Sequence, residues 1–342
     1  MRPPAARWTD RVPEQWNALI AADPGASPSH RPELWTAFIA AQPGLSLRVI
    51  VVEEHGSLIG GAPVLVERRG GMCWLRALPM LLAGAPIALP GRHGEVDAAV
   101  ADALAGLAAE TGAVGGEWAL YRGAGAPVAA DMLTPVTGET RWMEAAVVDL
   151  THGIDAAHRR MDRKQRQSLR DTQARGYAFA ADPAALEAAY ALHIAQGRQW
   201  RGHRAQPLEL SRRLLASGPA PVARLFGLRD PHGLVSAALA LDGPHETFVW
   251  WSGTHPSARR PGAFPLLLWS IVEWAAGAGR SRVNLGASTG LSLVASFKSS
   301  FGATGVRYPV RWLDARHAPV TARAAAWLQG WVRRGRPRGE AA

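Results

Sequence analysis

A chain of 342 residues that is 48% hydrophobic and 19% charged is too apolar to be disordered, and its 36 glycines and 25 prolines follow no triplet period, which excludes a collagen-like fibre. The length accommodates two domains of ordinary size. Cys73 is the single cysteine, so neither an internal disulfide nor a cysteine-rich zinc site can form, and the eleven histidines include no H-E-x-x-H pair; no bound metal is expected.

The basic N-terminus has no apolar run behind it, and no apolar stretch is long enough for a bilayer, which predicts a cytoplasmic protein without a membrane span. The net charge of +10 is confined to two places. Residues 155–176 hold seven Arg or Lys against three Asp, residues 311–338 hold seven Arg against one Asp, and the rest of the chain is balanced. Of 38 basic residues only Lys164 and Lys298 are lysines. Arginine stands wherever a solvated charge suffices, so these two draw attention: an ammonium is compact and its pKa adjustable, and a guanidinium is neither.

In chain order, apolar spacing predicts helices over 14–22 and 32–41 and strand material from Leu47. Arg48 opens RVIVVEEHG-SLIGGAPVLV, two apolar strands about a His-Gly turn, and Arg224 opens RLFGLRDPHG-LVSAALALD, the same pattern with one more loop residue. Such a repeat points to a duplicated unit. A helix over 95–110 and a strand over 142–150 follow the first copy, with a boundary near residue 140. The second half predicts a basic helix over 155–175, a strand over 177–181, helices over 183–200 and 207–216, and strands near 222–228, 234–241 and 246–252. A helix over 263–277, a strand over 282–285, a short helix over 291–301, a strand over 306–312 and a final helix from Thr321 complete a mixed α/β order.

Four segments could carry chemistry. Gly286-Ala-Ser288-Thr-Gly290 fits a G-x-S-x-G nucleophile elbow, but the downstream Asp314 and His317 stand three residues apart, which leaves no room for a hydrolase's acid and base. A turn where a ligand meets the backbone is the better reading. Arg259-Arg260-Pro261-Gly262-Ala263 brings positive charge and a small residue to a helix N-terminus, a geometry that suits a diphosphate and equally an ordinary helix start. Lys298 borders the apolar stripe Leu293, Phe297 and Phe301; its ammonium either stabilises an oxyanion or reaches past the stripe to water. The helix from Arg159 to Arg170 is almost wholly polar and suits a polyanion or a solvated face, and it lacks the interleaved aromatics that stack on bases.

Together, Lys164-x-Arg-x-x-Leu-Arg170 with Gly176, Phe248-Val-Trp-Trp-Ser-Gly253, the helix Leu266 to Ala275 leading to Gly279, Asn284-Leu-Gly286 and Phe297-Lys298-Ser-Ser-Phe301-Gly302 resemble, in order and spacing, the Fem-type, GNAT-fold acyltransferases. The resemblance implies an α/β fold of tandem GNAT-like domains, mixed sheets flanked by helices: a degenerate GNAT-like domain over 1–140, a GNAT-like acyltransferase domain over 141–320, and a basic C-terminal helix and tail over 321–342. It implies an acyl donor between splayed strands ending near Trp251 and Leu285, with its diphosphate at Arg259, Arg260, Gly262 and Ala263. Lys298, at the family's Phe-Lys position, would meet the oxyanion; Asn284 and Ser288 would orient the acceptor and Trp250 would line its groove. Arg163, Lys164, Arg166 and Arg170 would hold phosphates of that acceptor.

The implied function is N-acyl transfer from acyl-CoA, a co-substrate rather than a resident cofactor, to an amine on a small molecule or saccharide, in envelope or polysaccharide synthesis. Phe264 replaces the last Gly or Ala of the family's R-x-x-G-x-G/A loop, which leaves aminoacyl-tRNA open as donor. The loops are too short for the coiled-coil arm of tRNA-using members, so acyl-CoA is favoured and DNA is not expected. The rival reading is a non-catalytic anion-binding or membrane-surface protein acting through its basic helix and the C-terminal tail with Trp327 and Trp331.

Overall fold

The computed structural model describes residues 4–77, 82–123, 128, 137–199, 205–259, 262–288 and 292–313, with the backbone alone at 137–139, 259 and 313. The predicted tail over 321–342, Arg260, and the pair Asp314 and His317 lie outside these residues.

The first half runs β1 (Ala5–Thr9), α1 (Trp16–Ala22), a 3-10 turn at Pro28–His30, α2 (Pro32–Ala41), β2 (Leu45–Glu54), β3 (Ser57–Arg69), β4 (Met72–Arg76), β5 (Ile87–Ala88), α3 (His93–Thr111), β6 (Gly116–Ala119) and β7 (Thr137–Asp149). In the second half come α4 (Ile154–Arg160), α5 (Arg163–Gln173), β8 (Ala178–Ala181), a 3-10 turn at Pro183–Ala185, α6 (Leu186–Gly197), α7 (Leu208–Leu215), β9 (Ala223–Asp230), β10 (Gly233–Asp242) and β11 (Glu246–Thr254). They are followed by α8 (Pro256–Arg259), α9 (Ala263–Gly277), β12 (Arg282–Ala287), α10 (Ser292–Ser300) and β13 (Thr304–Leu313).

The two halves build the same sub-sheet. β1, β2, β3 and β4 are antiparallel neighbours, and α3 then carries the chain across to β6, which lies parallel to β4. Likewise β8, β9, β10 and β11 are antiparallel, and α9 carries the chain to β12, parallel to β11. The repeated hairpins found in the sequence are β2–β3 and β9–β10. In the first, His55 (φ 50°) and Gly56 (φ 80°) both take the left-handed conformation that a two-residue hairpin turn demands. The last strand of each half is exchanged: β7 bonds to β12 of the second half, β13 bonds to β6 of the first, and β7 and β13 pair with each other. One mixed sheet in the order β1-β2-β3-β4-β6-β13-β7-β12-β11-β10-β9-β8 results, β5 pairing only with β3.

Alternation along the strands sends side chains to two faces. On one face, Trp16, Leu34, Trp35 and Phe38 of α1 and α2 form a single core with Leu210 and Leu214 of α7 and with Leu225, Leu239 and Trp251, so both halves share it. The opposite face carries two cores, one under α3 (Val96, Val100, Leu104, Leu107) and one under α9 (Leu267, Ile271, Val272), where Met161, Leu169 and Phe301 also lie. α9 is apolar nearly all round and buried accordingly.

One expectation is corrected. The basic stretch 155–175 is two helices, because Met161 and Asp162 are extended (ψ 144° and 145°). Met161 is drawn into the core under α9, the Asp162 N–H donates to the Ser300 carbonyl (2.9 Å), and the Arg166 guanidinium donates to the Arg159 carbonyl (3.0 Å) and to that of Met161, closing the end of α4. Among the described residues no helix is long and apolar enough to cross a membrane, and no group of three or more His, Cys, Asp or Glu could hold a metal ion.

Candidate active site

β11 and β12 are parallel neighbours over three residues each, Glu246–Phe248 against Arg282–Asn284, and there the pairing stops although β11 continues to Thr254 and β12 to Ala287. On its other side β11 stays bonded to β10 through a bulge that leaves Trp250 unopposed. A bulged strand bends, so two strands held together at one end part at the other, and the parting makes a wedge in the middle of the second sub-sheet.

α9 begins beside this wedge. Gly262 caps it at φ 81°, and Pro265, in the first turn, lacks an N–H where no intrahelical partner exists anyway. The first helical bond runs from the Leu266 N–H to the Gly262 carbonyl (3.2 Å). α5 lies against this end: a Cβ on Gly262 would stand 2.7 Å from the Thr172 hydroxyl. Thr172 and Ser168 belong to a surface groove of about 690 Å³ whose cations are Arg163, Lys164 and Arg175. The start of a fifteen-residue helix thus adjoins, at Thr172, a groove that carries three cations and the carboxylate of Asp171, a net positive surface that favours an anion.

α10 crosses the end of β12. Lys298 is 9% exposed, and its ammonium donates to the Gly286 carbonyl (2.9 Å) and the Ala287 carbonyl (3.1 Å). Burial pushes its pKa down to about 8. An ammonium has three donors, and the third remains after these two bonds. Lys298 also lines a cavity of about 700 Å³ over the central strands β7 and β13, together with Arg141, Trp142, Glu144, Ser288 and Ser292.

A family model for an acetyltransferase (GNAT) domain matches residues 156–298, the stretch from α4 through the wedge to Lys298. The chain carries a GNAT acyltransferase domain. No curated protein sequence matches the chain. Among solved structures, FemX shares the fold over 89% of this chain and 96% of its own, with a TM-score of 0.69 at 12% identity. A conserved protein of unknown function from Bacteroides thetaiotaomicron VPI-5482 matches over 89% and 98% (TM-score 0.54, 10% identity). The C-terminal domain of a putative lysylphosphatidylglycerol synthetase from Agrobacterium fabrum matches over 93% and 95% (TM-score 0.52, 15% identity). These likenesses span both halves, as a tandem GNAT fold requires.

Within the GNAT domain, Lys298 and Ser288 line one cavity; Gly262 lies against Thr172 near the end of α5, whereas Arg163 and Lys164 stand at its beginning, and Ala263 is buried in the core under α9. For Arg259 the backbone alone is described. Other expected roles are changed. Asn284 is buried with both ends of its amide in use: Nδ2 donates to Glu246 Oε1 (3.2 Å) and Oδ1 accepts from the Gly286 N–H (2.8 Å), so it shapes the strand end on which Lys298 rests instead of facing an acceptor. The indoles of Trp250 and Trp251 lie on the sheet face opposite α9, against Phe38 (6.1 Å) and His193 (5.0 Å) respectively, so only their backbone borders the wedge. Arg166 closes α4, and Arg170 donates to Gln167 Oε1 (2.7 Å). Leu293, placed by its spacing on the apolar stripe of α10, is 85% exposed, whereas Phe297 and Phe301 pack on each other (5.8 Å).

Behind the site a buried ion pair joins the two halves. Arg282 donates to Glu246 (2.6 Å) and, from the same guanidinium, to the carbonyls of Pro24 (2.8 Å) and Ala26 (2.7 Å); the Tyr121 hydroxyl donates to Glu246 (2.8 Å). Burial, and then the Glu246 charge, push the Tyr121 pKa well up. Through Asn284 this pair reaches Gly286 and so Lys298. Sequence reasoning did not single out Glu246, Arg282 or Tyr121, because nothing in their spacing marks them; nor Glu144, which stands in an ordinary alternating strand.

Proposed function

We propose that the protein transfers an acyl group from acyl-CoA to an amine by direct attack, with the thioester entering the wedge between β11 and β12. The observation that carries this reading is the end of the parallel pairing at Phe248 and Asn284, beside the start of α9. Unpaired strand backbone there suits the amide-bearing arm of coenzyme A, and the cationic groove of α5, which the start of α9 adjoins at Thr172, suits its diphosphate. Arg163 and Lys164 are thereby assigned to the donor, where sequence alone assigned them to phosphates on the acceptor.

The acceptor is assigned to the cavity over β7 and β13, at the seam of the two halves, with an amine on a small molecule or saccharide as its class and envelope or polysaccharide synthesis as its setting. Transfer needs the two reactants held together and the oxyanion met by a fixed donor. Lys298, with one donor remaining and little access to water, is assigned that role, and Ser288 lines the same space. No permanently bound cofactor is required.

Titration calorimetry with coenzyme A on the full chain, followed by an acetyl-CoA thiol-release assay with added amines, tests the reading. Binding in wild type that is lost in an Arg163→Ala/Lys164→Ala double variant supports the donor site. No binding of coenzyme A, or equal binding in both proteins, removes it.

A further inference from the structure

Among the described residues, Glu144 is the one carboxylate lining the cavity that holds Lys298 and Ser288. Its side chain lies across Gly305 of β13: a Cβ on Gly305 would stand 2.4 Å from the Glu144 Cδ and 2.6 Å from Oε1. Gly305 lies inside a strand, and its φ is outside the left-handed range, so the backbone does not demand a glycine there. What the missing side chain provides is room for the carboxylate.

Arg307 faces Glu144 directly across the β7–β13 ladder, a register that ordinarily yields a cross-strand ion pair. Instead its guanidinium sits over the Trp142 ring, 5.2 Å from the centroid. Among the described residues Glu144 has no salt bridge. A carboxylate on a cavity wall, with space cleared beneath it and its cross-strand cation turned away, is ready for a cation from outside. Arg141 and Lys298, the cations among the described lining residues, make the wall around it basic, so a ligand's positive charge is drawn to Glu144.

We propose that Glu144 receives the acceptor as its ammonium form and takes its proton. This rests on the acyl-transfer reading above. The Glu144 carboxylate removes one proton from R–NH3+, and the freed lone pair forms the C–N bond at the thioester carbonyl while the π pair moves to oxygen, facing Lys298. Collapse re-forms the carbonyl and breaks the C–S bond; the thiolate leaves with the electron pair and takes the second nitrogen proton. The amide and coenzyme A thiol are released, and Glu144 returns its proton to water.

The test compares two acceptors with acetyl-CoA at neutral pH: ethanolamine, which is protonated there, and hydroxylamine, which is largely not. Glu144→Gln is expected to lower transfer to ethanolamine by about 100-fold or more, the scale of a general base, and transfer to hydroxylamine far less. Gly305→Ala, which displaces the carboxylate while leaving it in the chain, is expected to show the same bias more weakly with an unchanged melting temperature. Equal losses for both amines, or no loss, overturn the role of Glu144 while the acyl-transfer reading stands. Thiol release from wild type with neither amine overturns both.

Discussion

Gly262 lies against Thr172, so close that a methyl group on the glycine would stand 2.7 Å from the hydroxyl. The start of α9 is thus held on the wall of the α5 groove, and the residue doing so also needs φ 81°. Gly262→Ala is expected to cost about 1–2 kcal/mol of stability from the backbone conformation and to weaken coenzyme A binding by forcing α5 away. Gly277→Ala, at the other end of α9 with nothing within 4 Å of its Cβ, is the control and leaves binding intact. Calorimetry on both variants checks this; unchanged affinity in Gly262→Ala would separate the helix start from the donor.

Lys298 titrates near pH 8. As an oxyanion partner it must carry its proton, so kcat/KM is expected to fall as pH rises through about 8, measured with hydroxylamine so that acceptor ionisation does not obscure the limb. Lys298→Ala is expected to lose about 100-fold or more in kcat, and Lys298→Arg, if active, moves the falling limb far to alkaline pH. Linkage gives a second reading. Between about 8 and the ordinary 10.5 the unfolded chain holds the proton and the folded chain does not, so this group makes stability rise with pH across that window. A melting series over those pH values, in wild type and Lys298→Met, should differ in slope.

The buried Glu246–Arg282 pair predicts an asymmetry between single and double variants. Arg282→Met strands a carboxylate in the interior and is expected to cost about 3–5 kcal/mol, whereas Glu246→Leu/Arg282→Met removes both charges and is expected to be less damaged than either single change. Urea denaturation of the three variants measures it. If the double variant is as unstable as the sum of the singles, the pair has no coupling.

His30 sits wholly inside, with Nδ1 accepting from the Ser27 N–H (3.1 Å) and Nε2–H donating to the Ala85 carbonyl (2.8 Å), bonds that the neutral ring satisfies. Burial holds its pKa below 6.5. The unfolded chain therefore takes up this proton first on acidification, and stability is expected to fall as pH drops below about 6.5, by up to 1.4 kcal/mol per unit. Thermal melts from pH 7.5 to 5.5 should show a shallower decline in His30→Gln than in wild type.

The repeated hairpins, the long helix α9 and Lys298 of α10 were legible in the sequence because each has a local signature: an alternating run about a His-Gly turn, an unbroken apolar helix, a rare residue type. β1, β4 and β6 were not, since strands of four or five residues carry too few alternations to stand out from loops. The break at Met161 was hidden by its strongly helical neighbours; only the tertiary pull of the core under α9 opens the helix there. Trp250 and Trp251 misled for a related reason, since the bulge that turns both indoles away from α9 belongs to the pairing with β10 and not to their own spacing. Glu144 and Asn284 acquire their meaning from Gly305 and Gly286, partners on other strands or at a strand's twisted end.

β13 fills the gap between β6 and β7, and it is the final strand of the described chain to be synthesised. A ribosome that stalls, or a protease that cuts, just before Thr304 leaves two raw ladder edges facing one another across an empty slot, each a template for a neighbour's backbone. Losing the chain from Thr304 onward is thus expected to clump the product, not merely trim it, since each half would be left without the strand it receives in the exchange.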